Sequence, residues 1–348
     1  DKLQDVYFSQ NSKLTKFSEE AFFKSSITNI KIPKSVTKIE DRAFLECKNL
    51  ESVIFCENSE LTEIGEHSFS NTRIEKIDLP QTVQVIGKSA FSNIRELKEV
   101  HFEGQNIEKE AFIGTGLVSF KLSNNTKYIG DNAFQYCRSL TQFVIDIENS
   151  KLAEIGSNAF SETSIESINI PPLLYTINKG TFSGCSKLKE VKISEQSQLK
   201  TIEEYSFSGN LSLEKINIQR SIKSISPKSF INTPLLQEIM NDSSSNFTVS
   251  NDHSVYLTDK TLLFVPRNLK EFKVATNCKT IHSGAFCGPT IEKVTFSDNS
   301  LKRIERCAFA HSTALKEIAI PNTVKYIGEE SFIECRNLEK ISFDEKCQ

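Results

Sequence analysis

Apolar residues recur along the chain in short alternating steps. Ile30 and Ile32, Val53 and Phe55, Ile77 and Leu79, Ile168 and Ile170, and Ile318 and Ile320 are each two positions apart. That period puts both members of a pair on one side of a short strand. Between the strands a second signal returns, a small residue followed by Phe. It occurs at Phe22, Phe44, Phe69, Phe91, Phe112, Phe134, Phe160, Phe182, Phe207, Phe230, Phe286, Phe309 and Phe332. The spacing stays between 21 and 26 residues except for one gap of 56, from Phe230 to Phe286. A unit of that length is a solenoid period. One strand with one apolar face makes no core alone, but stacked copies bury a continuous ladder, with the Phe segment closing each coil behind it. The pattern predicts a solenoid of about fourteen short parallel strands, one per repeat.

Composition supports this reading. The chain holds 25 Phe but no Trp and one Met. Thirteen Phe are anchors, and Phe8, Phe55, Phe102, Phe120, Phe143, Phe272, Phe296 and Phe343 fall at inward strand positions, so the aromatic excess is core. The 348 residues would make two domains of roughly 150 residues, yet a repeat array counts as one, spanning 1–348. Acids and bases are interspersed, with 42 Lys and Arg against 45 Asp and Glu, which gives no field for nucleic acid. No apolar run approaches the roughly 18 residues of a membrane span.

The full unit reads Ala-Phe-x-x-Cys-x-x-Leu-x-x-Ile-x-Ile-Pro-x-x-Val-x-x-Ile-Gly, as at Ala43-Phe44, Cys47, Ile77-Asp78-Leu79-Pro80 and Ile327-Gly328. It resembles the BspA-like subclass of leucine-rich repeats, known from surface proteins of mucosal bacteria and protozoan parasites. The resemblance implies a curved, right-handed leucine-rich-repeat solenoid, with its parallel sheet on the concave face and short helical or irregular segments on the convex face. It also implies display at the cell surface for attachment to host proteins or cells.

Cys47, Cys137, Cys185 and Cys335 each stand three residues after an anchor, where other repeats carry Ser25, Thr72, Thr115, Thr163, Asn210, Thr233 or Ser312. The position wants a small residue with a weak polar group. None of the four belongs to adjacent repeats, and one repeat step is about 4.8 Å, so the disulfide limit of roughly 7 Å is exceeded and free thiols are expected. Cys287 and Cys307 lie on adjacent segments within bridging reach. No Cys-x-x-Cys or His-Glu-x-x-His spacing occurs, and the histidines are scattered, so no metal site, cofactor or enzyme chemistry is read.

The residues between the inward ones face the concave side. Candidate partner contacts there are Lys31, Asp78, His101, Lys121, Asn169, Lys192, Asn217, Met240 and Lys273. This column has no aromatic platform, which disfavours a carbohydrate-binding module as a class and points to an extended polar protein contact. The neighbouring column, Glu190, Lys215, Glu238, Glu271, Lys293, Glu317 and Lys340, mostly alternates in sign and reads as a self-neutralising ladder. The long gap is read as an inserted β-hairpin, 241–268, within the tenth repeat, projecting Phe247, His253 and Tyr256 as candidate contacts. Sequons at Asn124, Asn241 and Asn246 are candidate glycosylation sites, whereas the one at Asn210 falls in the inward column.

These readings converge on a non-enzymatic surface module that binds a host surface or matrix protein. An intracellular leucine-rich-repeat scaffold is the competing class, because free thiols suit it equally. The chain opens on a strand and stops near one, so it is expected to be the ectodomain of a longer, membrane-anchored protein.

Overall fold

The computed structural model describes residues 3–219, 221–240 and 246–344. It divides into two compact units, the first comprising 1–185 with 194–199, the second 186–193 with 200–348. Both are parallel-strand β-solenoids with almost no helix; a single turn at Pro227–Phe230 is the one helical element among the described residues.

In the first unit each coil contributes two strands. A first ladder runs through Asp5–Val6, Asn29–Ile32, Ser52–Phe55, Lys76–Asp78, Glu99–His101, Ser119–Lys121, Gln142–Val144 and Ser167–Ile170. Alternation holds along it: Ile30 and Ile32 are buried while Asn29 and Lys31 are exposed, and Ile30 registers with Val53 as Phe120 does with Phe143. A second parallel ladder, Lys16–Phe17, Lys38–Ile39, Glu63–Ile64, Val85–Ile86, Asn106–Ile107, Tyr128–Ile129 and Glu154–Ile155, forms an unbroken seven-stranded sheet. The sequence reading of one strand per repeat is corrected here. Two-residue strands bury one side chain each, such as Ile39, Ile64, Ile86 and Ile107, so they carry no period-2 signature.

Between the second strand and the next first strand, the Phe segment is built from turns. Alternate amides bond locally, as Ala43 N–H to Glu40 O, while the others donate to the next coil: Arg42 N–H to Glu66 O at 2.7 Å, Phe44 to Ser68 O at 2.8 Å and Glu46 to Ser70 O at 2.9 Å. This alternation requires left-handed backbone two residues before and two after the anchor. Arg42 and Glu46 flank Phe44, His67 and Asn71 flank Phe69, and Asn132 and Tyr136 flank Phe134, all with φ between 54° and 62°. Such conformations cost about 1 kcal/mol for a non-glycine residue, which the two inter-coil bonds at each pair offset.

The same spacing stacks the anchors. Rings of Phe22, Phe44, Phe69, Phe91, Phe112, Phe134, Phe160 and Phe182 follow one another at 5.2–5.5 Å and lie within 16° of parallel. Phe120 and Phe143, themselves stacked at 5.4 Å, meet this column edge-on. Each such pair adds about 0.5–1.5 kcal/mol beyond burial.

The column three residues after the anchor behaves as its chemistry requires. Thiols of Cys47, Cys137 and Cys185 donate to the carbonyls of Phe22, Phe112 and Phe160 at 2.9–3.1 Å, and each meets the hydroxyl of the preceding coil, Ser25, Thr115 or Thr163. All eight cysteines among the described residues are free, Cys287 and Cys307 included.

The second unit repeats the plan. Its first ladder holds Glu190–Ile193, Lys215–Ile216, a bridge at Glu238, then Glu271–Val274, Lys293–Phe296, Glu317–Pro321 and Lys340–Asp344. Anchors stack from Phe207 to Phe230 and from Phe286 through Phe309 to Phe332. Between these runs lies the insertion, which is a meander rather than one hairpin. Phe247–Val249, Val255–Leu257 and Thr261–Phe264 pair antiparallel in turn, and the last pairs parallel with Thr280–Ile281. Thr261–Phe264 thereby takes the second-ladder place of its coil, and the element packs into the core instead of projecting.

Val265 takes the anchor's place in the hydrogen bonding of that coil, its amide donating to Ala285 O at 3.1 Å as Phe44 N–H does to Ser68 O, and Arg267 follows two residues later. Its guanidinium is buried, donates to Ala285 O at 2.6 Å and Gly284 O at 2.8 Å, and covers the Phe264 ring. It adds side-chain donors to the Ala285 carbonyl that the Val265 amide already reaches and to the neighbouring Gly284 carbonyl. Desolvation pushes its pKa down to about 10.

Two predictions follow from this packing. Phe134→Ala should cost about 3–5 kcal/mol in a urea melt, because coils locked on both sides cannot collapse into the cavity; a loss below about 1 kcal/mol would contradict the stacked column. Burial raises the Cys137 thiol to about 11 and Cys185 to about 12. Folded thiols that keep their protons while unfolded ones ionise from about pH 8.5 make stability fall as pH rises towards 11 and 12. Replacing both by Thr should flatten that alkaline decline, and an unchanged decline would show that the thiols are not buried.

Candidate functional site

The outer side of the first ladder is where strand alternation sends side chains that the core does not use. In the first unit Lys31, Asp78, His101 and Lys121 are exposed there, and register brings Lys31 beside Ile54, Asp78 beside His101, and Lys121 beside Val144. Ile54 and Val144 are 55% and 49% exposed, apolar points on an otherwise polar face. Asn169 is half-buried, its amide donating to Ile145 O at 3.0 Å. In the second unit Lys192, Asn217 and Lys273 are exposed, Lys192 lying 3.4 Å from Glu190.

Met240 is the exception and corrects the sequence reading, for it is fully buried. The amide of Ile216 donates to Glu238 O, so regular pairing would take Ile218 to Met240 O; it goes instead to Ile239 O. A one-residue slip reverses which side a residue faces, and Met240 turns inward. Two of the three insertion candidates are also internal. Phe247 is 1% exposed, and Tyr256 is 8% exposed with its hydroxyl accepting from Ala275 N–H at 3.2 Å. Burial pushes the Tyr256 hydroxyl up to about 12. His253 is exposed, with Nδ1 3.6 Å from the Glu238 carboxylate.

The charged column is self-complementary in register. Glu190 faces Lys215, Lys215 faces Glu238, Glu271 faces Lys293, and Glu317 faces Lys340. Except for Gln237, the preceding residues carry the opposite sign, Lys270 bridging to Glu292 at 3.2 Å, so neighbouring coils form a checkerboard of charge. The sequence pattern held this signal in its alternating Lys-Glu and Glu-Lys dipeptides. It held none for His253, whose place beside Glu238, where the column repeats its sign into Glu271, depends on the path of the insertion. In the first unit Lys76 reaches Glu99 at 3.2 Å and Asp78 at 3.7 Å; hydrogen bonding to Glu99 raises the lysine pKa.

Among the described residues no group of three His, Cys, Asp or Glu converges, and no helix is long and apolar enough to cross a membrane. Of the sequons, Asn124 is exposed with its amide on Asp146 at 3.1 Å, and Asn246 is half-buried with its amide on Lys223 O. Asn210 is fully buried with neither side-chain polar atom bonded, and Asn241 lies outside the described residues.

The BspA type leucine rich repeat region matches the sequence over residues 15–141, 105–237 and 260–348. Among solved structures, a leucine rich cell surface protein from Faecalibacterium prausnitzii is 24% identical, with a TM-score of 0.55, and the match covers 91% of this chain and 88% of that one. A leucine-rich repeat protein from Bacteroides ovatus is 21% identical, with a TM-score of 0.53 and coverage of 94% and 82%. The pneumococcal vaccine antigen PcpA is 21% identical at a TM-score of 0.47, with coverage of 92% and 80%. No curated protein matches significantly. The repeat signature and the family match over most of the sequence agree, and the chain belongs to the BspA-type leucine-rich-repeat family.

Proposed function

We propose that this chain is a cell-surface or secreted protein-binding module that attaches to host proteins or cells through the outer face of its first ladder, without catalysis. The observation that carries the reading is the run of exposed side chains in adjacent coils of the first unit, from Lys31 and Ile54 through Asp78 and His101 to Lys121 and Val144. Polar groups at fixed spacing around isolated apolar points give an extended contact whose specificity comes from charge placement. The Faecalibacterium protein of the same fold is described as a cell surface protein, and the proposal extends that placement to this chain. Asn124, the exposed sequon, is the position where a glycan would sit in an exported form.

One observation favours an intracellular protein-interaction scaffold instead: the eight free thiols suit a reducing compartment. Both readings use the same face and differ in the partner.

The test is a screen of the recombinant chain over immobilised host matrix and cell-surface proteins, followed by substitution. Lys31→Glu, Ile54→Asp and His101→Glu combined should weaken a detected interaction at least tenfold, about 1.4 kcal/mol, with the melt unchanged. His253→Ser should leave it within about twofold. An interaction that survives the triple substitution, or the absence of any host partner, would contradict the proposal.

A further inference from the structure

In the first unit, the connections from first to second ladder differ in length from coil to coil: 56–62, 79–84, 102–105, 122–127 and 145–153. The shortest lies in the middle and the longer ones flank it, so the loops outline a saddle. Its floor is pinned. A Cβ on Gly104 would stand 2.5 Å from Val83 O and from the Phe102 ring, so only glycine lets this loop lie so close to the preceding coil. Thr126 from the following coil holds it down by donating to Gly104 O at 3.0 Å. Above this floor is an open groove of about 500 Å³, lined by polar side chains alone.

Five of those seven side chains are tied together before any ligand arrives. The Gln84 amide donates to Thr82 O, the Gln105 amide donates to Gln84 Oε1 at 3.1 Å, and Lys127 Nζ donates to Gln105 Oε1 at 3.0 Å. Lys151 Nζ likewise donates to Asn125 Oδ1 at 3.0 Å. The ladder fixes which way each amide points while leaving each a second N–H. Lys127 and Lys151 stand on adjacent coils, and among the described residues neither is in an ion pair. Elsewhere in the unit Lys76 and Lys88 hold Glu99 and Glu66. Asp146, the acid near this end, is engaged by the amides of Asn124 and Asn149.

We propose that this saddle is a binding site for an acidic saccharide, separate from the first-ladder face. The ligand carboxylate lies between Lys127 and Lys151, and its hydroxyls meet the ordered amides of Gln84, Gln105 and Asn125. Two observations select a saccharide over a peptide. The lining is mostly polar, so burial contributes little and the ligand must bind chiefly through hydrogen bonds. Amides offering a donor and an acceptor side by side match vicinal hydroxyls, and their order lowers the entropic cost of binding. The two lysines against Glu103 leave one net positive charge for a single carboxylate.

The test uses the full chain labelled with ¹⁵N and titrated with sialyllactose, a glucuronate-containing disaccharide, lactose, acetate and an aspartate-containing tetrapeptide. Saturable shifts at amides 103–105 and 125–127 are expected with sialyllactose or the glucuronate, and which of the two binds tells the sugar source. Lactose, acetate and the peptide should bind at least tenfold more weakly. Lys127→Gln with Lys151→Gln should cost at least tenfold while amides outside the groove keep their positions. Equal binding of lactose, acetate or the peptide, shifts centred elsewhere, or no saturable shift with either acidic sugar would overturn the proposal.

Discussion

The hydrogen bonds that pass from one phenylalanine segment to the next set the terms for both units. Alternate amides around the anchors from Phe22 to Phe160 donate to the following coil, at 2.7–2.9 Å near Phe44, and the intervening ones close local turns, so this irregular-looking backbone leaves few amides to water. Once those bonds are made, the coil step is fixed. In the first unit a fixed step brings anchor rings to 5.2–5.5 Å, places left-handed backbone on both sides of each anchor, and puts Cys, Ser or Thr three residues after it in every coil except that of Phe91, where Ile94 stands. The hydrophobic column and the polar column are two results of one stacking distance.

That economy explains what could be read from sequence. Side chains that recur at a fixed interval and are large, such as the anchors and Ile30 with Ile32, announce themselves. The second ladder did not, because Lys38–Ile39 or Tyr128–Ile129 buries one residue and has no alternation to display. The free state of Cys47, Cys137 and Cys185 was legible from register alone, since they skip adjacent coils. Met240 was misplaced because a one-residue slip is a backbone event with no side-chain signature. Phe247 and Tyr256 looked like contacts because an insertion reads as an excursion. Here it supplies a missing strand, with the Val265 amide making the anchor's bond to the next coil and Arg267 bonding the carbonyls beside it.

Recognition surfaces arise where the repeat leaves choices open. The outward positions of the first ladder are free of packing demands, and their charges are arranged so that coils attract one another along the column. Loop length is the second freedom. A connection shortened to 102–105 between longer neighbours shapes a groove without disturbing either ladder, and Gly104 is the residue that permits it. Binding features can therefore vary coil by coil while the stacking bonds stay constant.

Amide hydrogen exchange at the anchors tests the primacy of those bonds most directly. The amides of Phe44, Phe69, Phe91, Phe112 and Phe134 lie in turns, outside both ladders, yet each donates to a carbonyl of the next coil at 2.8–2.9 Å. They should exchange as slowly as ladder residues such as Ile64 and Ile86, through opening of the whole unit. Exchange at the rate of the exposed loops near Asn58 or Glu148 would contradict the account, because the phenylalanine segments would then be ornaments on a structure held by its strands.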